Sequence, residues 1–90
     1  MLKVVIKAKD LTLLAATYGN IARTPGLTWQ SGMPKGQMAF VADDVKAMNI
    51  ALVIVEHAIG SALSFRAKGG RRGSQRFIEI ELSPRLDGIE

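Results

Sequence analysis

Three short segments of this 90-residue chain alternate apolar and polar residues, and that alternation limits the possible folds more than any other feature. In residues 2–8 every second residue from Leu2 to Ala8 is apolar, which predicts a strand with one buried face. Residues 61–68 and 77–82 repeat the pattern and predict a β-hairpin. One side of this hairpin carries Leu63, Phe65, Ala67, Ile78, Ile80 and Leu82, and the other carries Ser64, Arg66, Lys68, Glu79 and Glu81.

Two other segments have helical spacing. Asp10 is a predicted N-cap for a helix with apolar residues at Leu11, Leu14, Ala15 and Tyr18. This helix ends at Gly19-Asn20 or continues through 21–23. Asp43 or Asp44 caps a second helix over 45–59, although the β-branched run 50–55 also suits a strand. This helix is apolar around most of its circumference, so we expect the sheet to cover one side and a partner chain the other. Its apolar stripe consists of Val45, Met48, Leu52, Val55 and Ile59.

Residues 37–42 form a further predicted strand, and residues 27–30 form either a short strand or an ordered loop. The chain is therefore predicted to be an α+β protein, a small mixed β-sheet with two helices on one face. The order is β-α-(β)-β-α-β-β and ends in a basic β-hairpin. A single domain spans 1–90, with an irregular C-terminal tail over 83–90.

The order of elements resembles, in outline, that of ferredoxin-like domains. If the possible strand over 27–30 is left out, the order is similar to that of the archaeal chromatin protein Alba, which also ends in a basic hairpin. The likeness is one of topology, loosely echoed over residues 61–82, and no binding residue is carried over from it.

Composition narrows the possible functions. The chain has no cysteine, so disulfides and thiolate metal sites are excluded. It shows no signal-peptide pattern and no apolar run near the roughly 20 residues that span a membrane, so we expect a cytoplasmic protein without membrane contact. Its net charge of +4 favours an anionic partner.

The basic residues concentrate in the predicted hairpin. Five of the twelve lie within residues 66–76, with no acidic residue between them. Glycines such as Gly70 would make the tip of the hairpin flexible. They would also let the backbone approach another molecule closely and present its N–H groups to phosphates. Arginine suits bidentate phosphate contacts. The five basic residues are Arg66, Lys68, Arg71, Arg72 and Arg76.

The same residues allow plainer interpretations. Arg66 and Lys68 would pair across the strands with Glu79 and Glu81, which leaves the three residues nearest the tip uncompensated in a solvated turn. Phe77 falls on the polar side of its strand, where it would stack on a base, pack on a neighbouring loop or mark a slipped register.

A second group of cations lies near the first strand. Lys3, Lys7 and Lys9 extend the basic surface if that strand adjoins the hairpin, and otherwise are solvated lysines of an exposed edge.

No catalytic constellation is recognisable. His57, the sole histidine, has no nucleophile or orienting acid at a suitable spacing. The adjacent carboxylates of Asp43 and Asp44 indicate the start of a helix rather than a metal site. Trp29, Met33 and Met38 form either core or an adaptable protein-binding surface. We therefore expect no enzyme activity, no cofactor and no metal.

The leading functional hypothesis is a nucleic-acid-binding protein with weak sequence specificity, with DNA ahead of RNA. Its candidate site consists of Lys7, Lys9, Arg66, Lys68, Gly70, Arg71, Arg72, Arg76 and Phe77. The alternative is a small protein-interaction module, an inhibitor or adaptor of the kind that phages encode, which sets the same hairpin against an acidic protein surface. A homodimer through the 45–59 helix is a separate expectation.

Overall fold

The strand nearest the N-terminus lies at the centre of the fold. The computed structural model describes residues 1–84, which form one five-stranded sheet in the order β2-β3-β1-β5-β4. Strand β1 pairs antiparallel with β3 and parallel with β5, which confirms the α+β class and the mixed sheet. The elements are β1 (Leu2–Ala8), α1 (Leu11–Ile21), β2 (Thr28–Trp29), β3 (Gln37–Ala42), α2 (Asp44–Gly60), β4 (Leu63–Arg72) and β5 (Gln75–Pro84).

The even-numbered residues of β1 face the hydrophobic core, as their alternation predicts. Val4 lies opposite Phe40 on one side and Ile78 on the other, and Ile6 lies opposite Ile80. Both helices pack on this face, because Ile21 of α1 and the buried residues of α2 belong to the same cluster. The largest fully buried side chains are Phe40, Ile6, Ile80 and Val4.

Helix α1 begins as predicted and continues to Ile21, and Leu14 packs against the core. The Asp10 carboxylate accepts a hydrogen bond from the Thr12 backbone N–H at 2.9 Å. Leu11 is nearly half exposed, and the buried residues are Thr17 and Ile21. The Thr17 hydroxyl is satisfied internally, because it donates to the Leu13 carbonyl at 3.0 Å.

Helix α2 runs through the ambiguous segment 50–55, which is helical as predicted. Most of the predicted apolar stripe, however, does not face the sheet: Val45 is 72% exposed, Ile59 64%, Leu52 55% and Met48 47%. Of its five residues, Val55 alone packs against the core. Because small residues let a helix lie close to a sheet, α2 packs its alanine-rich side against the sheet and leaves the bulkier side exposed. The side against the sheet consists of Ala47, Ile50, Ala51, Ile54 and Ala58.

The hairpin is longer and more regular than predicted. Residues 69–76, predicted to be a flexible tip, continue the strands, and only Gly73-Ser74 separates β4 from β5. Gly73 has a φ of 64°, whereas Gly70 pairs with Phe77 within the ladder. Pairing along all ten positions of each strand supplies the hydrogen bonds that override the turn-like composition.

The prediction of an irregular tail over 83–90 is wrong for its first two residues. Ser83 and Pro84 are the last residues of β5, and residues 85–90 lie outside the described part. Among residues 1–84, no helix has the length and apolar character needed to cross a bilayer.

Candidate functional site

One face of the sheet is not covered by helices, and it collects most of the charged strand residues. Lys3 lies opposite Phe77, Lys7 opposite Glu81, and Lys68 opposite Glu79, so all of these side chains share that face. We call it the open face. Its cations exceed its carboxylates: they are Lys3, Lys7, Arg66, Lys68 and Arg72, against Glu79 and Glu81.

Two of these cations share one carboxylate. Lys7 and Lys68 approach Glu79 from β1 and β4, with N–O distances of 3.4 and 3.5 Å. Within residues 1–84, no ion pair involves Lys3 or Arg72. The open face therefore keeps a positive excess, and the first-strand lysines do adjoin the hairpin through β5.

The open face contains a concave site. Met33, from the loop between β2 and β3, and Phe77 of β5 both line a cavity of about 320 Å³ that also contacts Val5. Val5 is buried although it lies on the open face. The other lining residues are polar or charged: Lys3, Lys7, Gln37, Arg72, Gln75 and Glu79.

Phe77 owes its position to Gly70, its partner on β4. A Cβ atom placed on Gly70 would lie 2.8 Å from the ring Cζ and 3.0 Å from Cε1 of Phe77. The ring therefore occupies the space that a side chain at this position of β4 would take. It is half-buried, and its remaining surface lines the cavity.

The predicted hairpin cations are divided between the two faces of the sheet. Arg76 lies opposite Leu2, so its side chain is on the helix side, where the guanidinium pairs with Asp44. Arg71 lies directly opposite Arg76 and shares that side. The structure thus groups Arg72 with the open face and separates Arg71 and Arg76 from it.

Asp44 holds this helix-side cluster together. Its carboxylate also lies 3.1 Å from the amino group of Met1. Hydrogen bonding from that amino group lowers the pKa of Asp44 below its ordinary value of 3.8; desolvation opposes the shift, and Arg76 adds to it. Arg76, predicted to be uncompensated, is thus an ion-pair partner.

Lys9 follows β1 at the opposite end of the hairpin from its turn. It lines one groove with Lys7, Lys35 and Glu81, and another with Arg66 and Glu81. Lys9 thus extends the positive surface beyond the strands, although it does not line the cavity beside Phe77.

The remaining candidates, Trp29, Met38 and His57, contact other side chains of the protein. The Trp29 ring contacts Tyr18 and Phe40 with centroid distances of 4.8 and 5.3 Å, and Met38 packs against the core. His57 lies 3.3 Å from the Asn20 side chain. Among residues 1–84, no group of three acidic or histidine side chains is placed to hold a metal ion.

Sequence reasoning did not identify Met33, Gln37 and Gln75 as site residues. Met33 was predicted only as core or protein-binding surface, and its loop approaches the open face through tertiary contacts. Gln37 lies opposite Lys7 in the β1–β3 ladder, so a correct strand order was the only signal that would have found it.

Comparison of this chain with known proteins identifies no relative. No protein family, no curated protein and no solved structure matches this chain.

Proposed function

We propose that this protein binds nucleic acid through the open face of its sheet. The observation that carries the proposal is the placement of five cations from β1 and β4 on the face of the sheet that also carries the half-buried ring of Phe77. Two of them, Lys3 and Arg72, line the cavity and have no ion-pair partner among residues 1–84. Cations spread over a sheet match the repeating phosphates of a polyanion.

The proposed mechanism is phosphate binding with little sequence discrimination. Arginine and lysine contacts to phosphates fix the position of a nucleic acid but carry no sequence information. Lys68 and Lys7 exchange part of their contact with Glu79 for phosphate oxygens, while Arg72 and Lys3 bind phosphates directly. Compared with the sequence-based hypothesis, the site moves from the hairpin tip to the open face.

The test uses two adjacent arginines that differ only in the face they occupy. Arg72→Ala removes a cation from the open face, and Arg71→Ala removes one from the helix side. Binding to short single- and double-stranded DNA and RNA is measured by fluorescence polarisation at several salt concentrations. We expect Arg72→Ala to weaken binding and to lower the log–log salt slope by about 1, whereas Arg71→Ala changes both much less.

Two outcomes contradict the proposal. If the unaltered protein binds none of these nucleic acids at low salt, the nucleic-acid function is wrong. If Arg71→Ala and Arg72→Ala have equal effects, binding does not use the open face. A stoichiometric protein complex that survives nuclease treatment in a pull-down would instead favour an acidic protein partner.

A further inference from the structure

The cavity beside Phe77 has the composition of a small-ligand site. Its volume of about 320 Å³ lies at the lower end of the range of such sites, roughly 300–1,000 Å³. Apolar groups from three different elements, Val5, Met33 and Phe77, meet there with polar side chains. A mixed lining of this kind suits a planar, partly polar ligand better than a lipid or a simple anion.

Phe77 supplies an aromatic surface that is already in place. The ring is held against Gly70 and is half-buried, so it needs little ordering when a ligand binds. Stacking of a base on an aromatic side chain is worth about 1–3 kcal/mol and tolerates any base, because every base has a π-face. Met33 adds a polarizable side chain to the same cavity.

The polar lining matches the rest of a nucleotide. The Gln37 amide offers a donor and an acceptor to a base edge. The Gln75 nitrogen already donates to the Met1 and Arg76 carbonyls at 3.4 and 2.9 Å, which leaves the Gln75 oxygen to accept. Lys3 and Arg72 lie in the same lining as cations for the flanking phosphates.

We infer that this cavity takes one unstacked base of a single-stranded nucleic acid, with the adjoining phosphates on the surrounding cations. The inference rests on the proposed function and makes it more specific. A base that is paired and stacked inside a duplex cannot enter a cavity on the sheet without leaving its neighbours. Single strands are therefore preferred over duplexes of the same charge.

The first experiment separates base recognition from phosphate binding in the unaltered protein. Fluorescence polarisation is measured with a single strand and with an abasic strand that has the same number of phosphates. We expect the base-bearing strand to bind about tenfold more tightly. Equal affinities that still weaken with salt would overturn the inference and leave the proposed function standing, whereas no binding to either strand would overturn the proposed function itself.

The second experiment assigns the effect to Phe77. Phe77→Leu keeps an apolar side chain beside Gly70 but removes the aromatic face, so the ratio of the affinities for the base-bearing and the abasic strand is expected to fall. The control is Phe65→Leu, because Phe65 is a partly exposed aromatic residue on the opposite face of the adjacent strand. Equal discrimination in all three proteins would overturn the inference.

A competition experiment distinguishes the source of the nucleotide. An unlabelled free mononucleotide is added to the complex with the labelled strand, and an unlabelled strand of the same sequence serves as reference. We expect the free mononucleotide to compete far more weakly, because it lacks the neighbouring phosphates that contact the basic surface. Equally effective competition would overturn the assignment to a single strand.

Discussion

Phe77 and Gly70 form a cross-strand pair in which the aromatic ring fills the place of the missing side chain. The two residues are directly opposite in the β4–β5 ladder, and the ring Cζ would lie only 2.8 Å from a Cβ at Gly70. An aromatic residue that covers a strand glycine in this way supports the register of the hairpin. The same contact holds the ring in the cavity of the open face.

Replacing Gly70 by alanine should therefore displace the Phe77 ring. The close atoms belong to the outer end of the ring, so the ring can turn away from the new methyl group, and this cost is set against the roughly 0.5–1 kcal/mol that alanine gains over glycine within a strand. We expect Gly70→Ala to be less stable in urea unfolding than the Gly69→Ala control and to reduce single-strand binding, although no charge changes.

The matched control is Gly69→Ala at the adjacent position. A Cβ on Gly69 would meet only the Phe77 carbonyl oxygen, at an ordinary 3.7 Å. Because glycine within a strand costs roughly 0.5–1 kcal/mol relative to alanine, this variant should be as stable as the original protein or more stable. Equal losses in both variants would show that the ring contact is not what Gly70 provides.

The hairpin and its two faces were predictable from the sequence alone, because a strand with one buried face alternates apolar and polar residues. Phe77 was placed correctly on the polar side for this reason. Residues 69–76 were predicted wrongly as a flexible tip, since glycine and charged residues are typical of turns. The ladder with β5 and the filling of Gly70 by Phe77 are non-local, so no local rule would have shown that the strands continue.

The candidate site was only partly predictable for a similar reason. The basic residues form a recognisable cluster in the sequence. Their division between the two faces of the sheet, however, depends on how β4 pairs with β5 beyond residue 68, where no strand was predicted. The cavity needs β1, β5 and the loop before β3 together, and strand order was not readable from the chain. Gln37 and Gln75 carry no recognisable signal without that order.

The side of α2 that meets the sheet gives a further test of the packing. Ala47 is fully buried there, so a larger side chain has no space unless the helix moves away from the sheet. We expect Ala47→Leu to lower the unfolding free energy by roughly 1–3 kcal/mol. The control is Val45→Leu, which enlarges a side chain that is 72% exposed and should leave the urea midpoint nearly unchanged. Equal effects would contradict the observed orientation of the helix.

Asp44 should make stability depend on pH. Its pKa is lowered in the folded protein, so the carboxylate stabilises the fold above the ordinary pKa of 3.8, and this contribution is lost as the pH falls through the folded value. Asp44→Asn is therefore expected to be less stable at neutral pH and to approach the original protein in strongly acidic solution. Thermal melts of both proteins across this range measure the difference.

Asp43→Asn is the control for the Asp44 experiment. Asp43 accepts a hydrogen bond from the Lys46 backbone N–H at 2.9 Å as the N-cap of α2, and asparagine caps helices about as well as aspartate. This variant should show a much smaller loss at neutral pH. A loss at Asp44→Asn that stays constant down to acidic pH would mean that the ion pairs with Met1 and Arg76 are not its cause.

The exposed apolar stripe of α2 leads us to expect self-association. Its exposed members extend from the first turn to the last, so two copies of the helix packed antiparallel would bring apolar residues together along most of their length. These members are Val45, Met48, Leu52 and Ile59. Such a dimer would also carry two open faces and gain avidity for a long strand. Leu52→Glu, at a residue that is 55% exposed, should yield a folded monomer, measured by light scattering and by a cooperative urea transition. The control is Asn49→Glu, which adds the same charge at a polar position and should leave the dimer intact; a monomeric mass for the original protein at working concentrations would contradict the prediction.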